Sequence, residues 1–253
     1  MPASRATYEL LTIVMLGLAV VTFVALRFVV APYGRHTRRG WGPTLPDRIG
    51  WAVMESPSLL YFSWIYWHGA HRTLAAPLAL YFMWTIHYAH RTLVYPLRLK
   101  SRGKRMPVVI VAMAIAFNLL NSTANASYIA ELGDYPEGWL AGGRFIVGAL
   151  LFALGMLVNL DADRRLLALR KPGETGYRIP RGGLYGLVSS PNYLGEILEW
   201  GGWAVACWSG AGAAFFVYTI ANLAPRASAN HAWYRKTFPD YPPERRALLP
   251  FVW

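Results

Sequence analysis

The chain has 253 residues and a formal net charge of +12, yet only 15% of its residues are charged and 55% are hydrophobic. Soluble domains carry about 25% charged residues, so this composition argues against an ordinary water-soluble fold and for a membrane protein. A single cysteine, Cys207, excludes a disulfide framework and a thiolate zinc site.

A spanning helix needs roughly 20 mostly apolar residues. Seven such stretches follow one another, over residues 8–31, 48–68, 74–97, 107–129, 142–163, 193–209 and 211–230. The first is too long for a signal-peptide core, and no small-residue cleavage site follows it, so it reads as a membrane helix. Between the sixth and seventh, "CWSGAG" supplies only a tight turn. No stretch alternates as a strand, and there is no repeat and no separate soluble domain. The expected fold is all-α, a single membrane-embedded domain over residues 1–253 with seven transmembrane helices.

The connections sort by charge. "YGRHTRRG", "RLKSRGKR", "RRLLALRKPGETGYRIPRGG" and the tail "YRKTFPDYPPERRALL" are basic and follow the odd-numbered helices. "HGAHR" and the acidic "ELGDYPEG" follow the second and fourth. The positive-inside rule then places the basic loops and the C-terminus in the cytoplasm and the N-terminus outside. So distributed, the charge marks topology and no nucleic-acid partner is expected, although arginines gathered at polar helix ends also suit a phosphate.

Ionisable groups inside membrane helices are costly, and each is a functional candidate. Glu55 on the second helix lies roughly 10 Å deep and Tyr88 on the third roughly 13 Å, at 1.5 Å rise per residue. They share a level, and a carboxyl beside a phenol is acid–base equipment. The plainer reading is that Glu55 bonds a helix end near Pro57. On the fifth helix Asn159 and Asp163 are four apart. On the sixth, Asn192, Glu196 and Glu199 share one face, and Asn222, Arg226, Asn230 and Tyr234 do so on the seventh. Such faces avoid lipid, so they are expected to face each other and line a wet or ligand-filled cleft, or to form a structural polar zipper. The pairs in "HGAH" and "HYAH" lie a helix length apart, too few imidazoles at one level for a metal. There is no glycine-rich nucleotide fingerprint after a strand and no Walker motif. A nucleotide would have to lie in the cleft between helices five, six and seven, its phosphates on arginines.

"HYAHRTLVYPL", "LRKPGETGYRIPRGGLYGLVSSPNYLGEILEWGGWA" and "WYRKTFPDYPPERRALLPF" resemble the steroid 5α-reductase family over the whole chain, most strongly from about residue 80 onward. The resemblance implies a seven-helix membrane reductase that uses NADPH to saturate the 4,5 double bond of a 3-oxo-Δ4 steroid such as testosterone or progesterone. It implies that Glu55 and Tyr88 polarise the 3-ketone. For NADPH it points to Asn159, Asp163, Arg170, Arg178, Asn192, Glu196, Trp200, Arg226, Asn230 and Tyr234, with Tyr95 and a base at Lys104 or Arg105. No metal is expected. The expected partners are a steroid or other lipid substrate and the membrane lipids, with the protein a monomer. The Ala- and Arg-rich composition suits a bacterial plasma membrane; eukaryotic members sit in the endoplasmic reticulum. Two rivals share the C-terminal motifs: a reductase of another lipid enone, an enoyl-CoA or a polyprenol, and a membrane methyltransferase using S-adenosylmethionine. The pair Glu55 and Tyr88 separates the methyltransferase, because methyl transfer needs no ketone polarised.

Overall fold

The computed structural model describes residues 1–100, 103–169 and 176–253. Within these, seven long helical segments follow in order: α1 (Arg5–Phe28), α2 (47–67), α3 (75–98), α4 (Val108–Leu132), α5 (Gly143–Ala168), α6 (Pro191–Cys207) and α7 (Gly210–Thr237). By length and composition, α1, α4 and α5 are apolar enough to cross a membrane. The others depart from that pattern for physical reasons. The α6 helix has only 17 residues, while α7 is rich in inward polar groups. Both α2 and α3 are interrupted by wide turns.

Those wide, π-helical turns lie at Pro57–Tyr61, His90–Val94 and Tyr128–Leu132. Pro57 has no N–H, so a regular ladder would leave the Val53 carbonyl without its donor. The Ser56 hydroxyl donates to it instead, at 2.9 Å. Neighbouring helices satisfy the next carbonyls: Asn118 Nδ2 donates to Met54 O at 2.6 Å and Trp84 Nε1 to Ser58 O at 2.7 Å. Carbonyls freed by an interrupted helical ladder need such replacements wherever water is excluded. Two of the three turns fall just after Glu55 and Tyr88, and turns of this kind recur at functional sites.

The helices outrun the hydropathy. The α5 helix continues to Ala168 and α7 to Thr237, each with basic residues in its last turn (Arg165; Arg235 and Lys236), where cations favour a helix C-terminus. A short ribbon pairs Thr44–Pro46 antiparallel with Arg105–Pro107. Three residues per strand are too few to show alternation in a sequence, so this departure from an all-helical fold was not foreseen. The ribbon fixes the starts of α2 and α4 at one end of the molecule. Lys104 Nζ, donating to the Tyr177 hydroxyl at 3.2 Å, brings the connection after α5 to the same end. The N-terminus and the other connections meet at the opposite end, where Ala3 N donates to Ser127 Oγ (2.8 Å), His71 N to Ala130 O (2.8 Å) and the Tyr135 hydroxyl to Cys207 O (3.0 Å).

The tightest packing joins α5 to α6. A Cβ at Gly155 would strike the backbone of Glu199, and one at Gly195 the backbone of Asn159. Gly148 against Ala206 and Gly202 against Phe152 repeat the contact seven residues on. Glycines spaced by about two turns let the backbones touch. This contact sets the polar residues of α5 directly against those of α6.

Candidate active site

A cleft of about 390 Å³ opens at the ribbon end, walled by α2, α3, α5, α6, α7 and the loop after α1. Its back wall is organised by Arg91 of α3, which is buried. The guanidinium reaches Asp163 at 3.2 Å and Glu196 at 3.4 Å, and it lies over the rings of Trp51 (4.8 Å) and Tyr95 (4.6 Å). One cation thus gathers a carboxylate from α5 and another from α6, with ring faces covering its apolar sides. Asn192 Nδ2 donates to Asp163 at 3.3 Å. Behind them Asn159 Nδ2 donates to Asn192 O (3.0 Å) and to Glu196 (3.3 Å).

The opposite wall comes from α7. Arg226 donates to the Tyr193 hydroxyl at 3.0 Å and lies 4.8 Å from the ring centre of Tyr33. Asn230 donates to Ser190 Oγ at 3.3 Å, and its carbonyl oxygen meets His36 Nε2 at 3.0 Å. Tyr234 stacks on Tyr241 with ring centres 5.1 Å apart. At the mouth, Arg35 lies over Tyr234 (4.4 Å), Trp233 (5.1 Å) and Tyr177 (5.9 Å), and its buried Nη1 has no hydrogen-bond partner among the described residues. Arg105 is held on Thr44 of the ribbon, 2.7 Å from its hydroxyl. Among the described residues the cleft is lined by Arg35, Arg91, Lys104, Arg105, Arg178 and Arg226 against the acids Asp47, Asp163 and Glu196, so it suits an anion.

His36 ends a single 3-10 turn (Gly34–His36) in the loop after α1, outside the seven long helices. Burial and the nearby arginines hold its imidazole below the ordinary value of 6.5, opposed by the bond to Asn230. The folded state therefore favours neutral His36. Its contribution is complete above the ordinary value and declines as pH falls below it, because the unfolded chain then binds the proton first. Thermal melts in detergent should show a steeper loss between pH 7 and 5.5 for the wild type than for His36→Gln. Parallel curves would remove His36 from that loss.

Ten of the residues singled out in the sequence line this one cleft: Tyr95, Lys104, Arg105, Asp163, Arg178, Asn192, Glu196, Arg226, Asn230 and Tyr234. Asn159 supports it from behind. Glu55, Tyr88 and Trp200 do not line it but lie deeper. Trp200 is packed at 5.5 Å from Tyr88 and 4.5 Å from Phe215. The Tyr88 phenol lies beside Ser58 and within electrostatic reach of Glu55, which is itself within reach of Arg91, His87 and Glu196. Ser58 Oγ is buried without a hydrogen-bond partner among the described residues. Arg170 falls outside the described residues. The sequence reading passed over Arg91, Arg35, Trp51, Tyr33 and Tyr193. Only Arg91 carried a signal, as an arginine three residues beyond Tyr88 in an apolar helix.

Apolar helices wrapped round a buried, cation-rich cleft define a helical membrane protein with an internal polar site. The sequence model of the family described as 3-oxo-5-alpha-steroid 4-dehydrogenase matches residues 104–253. The steroid 5-alpha-reductase DET2 of Arabidopsis thaliana is 46% identical over 253 residues, covering 97% of this chain and 96% of its own. That of Gossypium hirsutum is 45% identical over 251 residues, with the same coverage. The 3-oxo-5-alpha-steroid 4-dehydrogenase 1 of Bos taurus is 40% identical over 255 residues, covering 99% of this chain and 98% of its own. The chain belongs to the 3-oxo-5-alpha-steroid 4-dehydrogenase family, and it is an oxidoreductase.

Proposed function

We propose that the protein is an NADPH-dependent reductase of 3-oxo-Δ4 steroids. The observation that carries this is the adjacency of two unlike regions: a cation-rich cleft, and behind its back wall an aromatic cluster in which the buried Tyr88 is within electrostatic reach of Glu55. The names of the plant and mammalian relatives supply the substrate class. When bound, NADPH supplies a hydride from the nicotinamide to carbon 5 of the steroid. The cleft fits a phosphorylated dinucleotide because its bases outnumber its acids and Arg35 keeps a buried donor without a hydrogen-bond partner among the described residues. Arg35, Arg178 and Arg226 with Lys104 are suited to the phosphates, and Arg170 joins them as a sequence-based candidate. Asn192, Glu196 and Asn230 offer hydrogen bonds to sugar hydroxyls and the carboxamide.

Tyr88 donates to the 3-ketone of the steroid and Glu55 orients that donor. As the 4,5 bond is reduced, negative charge moves onto the ketone oxygen, and a fixed donor is worth most at that moment. Carbon 4 then takes a proton from solvent. Trp84, Trp200 and Phe215 keep the region apolar, which strengthens the bond from Tyr88.

The same proposal includes the topology. All seven helices cross the membrane as one domain over residues 1–253, with the N-terminus outside and the basic connections and C-terminus in the cytoplasm. The protein acts as a monomer in the bacterial plasma membrane, or in the endoplasmic reticulum of a eukaryote. The test is product analysis. Purified protein with NADPH and testosterone or progesterone should give a product two mass units heavier. NADPH deuterated at C4 should leave deuterium on carbon 5. NADPH binding without product would reject the steroid and bring enoyl-CoA or polyprenol substrates forward. Folded protein that binds no NADPH would favour the methyltransferase.

A further inference from the structure

His87 and Glu199 form a buried pair that the chemistry above does not use. Nδ1 of the imidazole lies 2.7 Å from Glu199 Oε1, His87 is 6% exposed and Glu199 is fully buried. The second carboxyl oxygen, Oε2, has no hydrogen-bond partner among the described residues. Burying such a pair is costly, and well-packed apolar residues often serve a fold as well or better. As a clip between α3 and α6 the pair is also redundant, because Trp84 of α3 already packs on Trp200 (5.3 Å) and Trp203 (5.1 Å) of α6.

What the pair adds is a position for the imidazole. His87 immediately precedes Tyr88, and Glu199 immediately precedes Trp200. The imidazole meets the Tyr88 ring edge-on at 4.9 Å and 75°, and the Trp200 ring at 4.6 Å and 66°. Phenol and indole are themselves 5.5 Å apart. A single ring therefore touches both the proposed ketone-polarising residue and the aromatic wall behind the cofactor cleft. Its hydrogen bond to Glu199 fixes the plane in which it does so.

We propose that His87, oriented by Glu199, is a positioning residue that holds the Tyr88 phenol against Trp200 and so sets the separation of steroid ketone and hydride donor. The proposal rests on the reading of Tyr88 given above. A misplacement of about 1 Å at a reacting centre can cost on the order of 100-fold in rate.

The test compares His87→Ala, His87→Asn, Glu199→Ala and Glu199→Gln with the wild type, using testosterone and NADPH or C4-deuterated NADPH. His87→Asn places an amide donor near Nδ1 and preserves the bond to Glu199, but it removes the ring between Tyr88 and Trp200. Its kcat per NADPH-binding site should fall as far as that of His87→Ala, on the order of 100-fold. The KM for NADPH should change little, and the deuterium isotope effect should rise as hydride transfer becomes limiting. Glu199→Gln keeps an acceptor for Nδ1 and should recover most of the activity that Glu199→Ala loses. Wild-type kcat in His87→Asn, or a Glu199→Gln variant as impaired as Glu199→Ala, would overturn the proposal. Tyr88→Phe assayed in parallel separates the two levels. An active His87→Asn beside an inactive Tyr88→Phe overturns the positioning role alone, whereas an active Tyr88→Phe overturns both.

Discussion

Tyr88→Phe is expected to lower kcat by about 10²- to 10³-fold, the usual cost of removing one donor to a developing oxyanion. The affinity for NADPH should stay close to that of the wild type. Both expectations come from where the residue sits. Its ring contributes to packing, lying 5.0 Å from Trp84 and 4.9 Å from His87, and phenylalanine keeps that ring. Its hydroxyl does not line the cation-rich cleft, so nothing that would hold a phosphate is lost. Steady-state kinetics with testosterone and a direct NADPH titration check the pair of statements. Weakened NADPH binding with normal turnover at saturation would move Tyr88 from the substrate to the cofactor.

Gly155→Leu should be the most damaging substitution outside the chemistry. A side chain there has no room, because the first added atom already meets the backbone of Glu199. Overpacking costs typically about 1–3 kcal/mol where side chains can shift, and here a backbone stands in the way. The expected results are a large fall in detergent melting temperature and loss of NADPH binding, since Asn159 and Asp163 would be pushed away from Asn192 and Glu196. Gly17→Ala is the control. A Cβ at Gly17 meets nothing within 4 Å. It should be neutral or stabilise α1 by up to about 1 kcal/mol, the difference in helix propensity. Equal melting temperatures for Gly155→Leu and wild type would mean that α5 and α6 are not in backbone contact.

The sequence made the helices legible because each apolar run is long, and it made the cleft legible because Asn192 with Glu196 and Arg226 with Asn230 repeat at helical spacing. The wide turns were not legible. A shift from one carbonyl to the next leaves hydropathy unchanged, and the signs of a disturbed ladder are prolines, Pro57 in the first turn and Pro96 just after the second. Glu199 looked like a third member of the Asn192 and Glu196 face, yet it turns to His87 and away from the cleft. Seven residues bring it back to the same side of the helix as Asn192 but set it about 10 Å further along the axis, beyond the cleft and level with His87. Arg35 and His36 were hidden for a different reason. They sit in a loop whose place depends on contacts with α7, nearly two hundred residues away in the chain, and no local pattern encodes that.

The glycine contact between α5 and α6 also decides which wall of the cleft can breathe. Two backbones in contact have no layer of side chains between them to compress or re-rotamerise, so the pair moves as one body. The facing wall is built otherwise. The loop with Tyr33, Arg35 and His36 is joined to α7 by guanidinium groups lying over rings and by the bond between His36 and Asn230. Contacts of that kind exchange on faster timescales than a helix interface separates. Amide hydrogen exchange is therefore expected to be faster in the loop of Tyr33, Arg35 and His36 than in the α5 and α6 turns that carry Asp163 and Glu196.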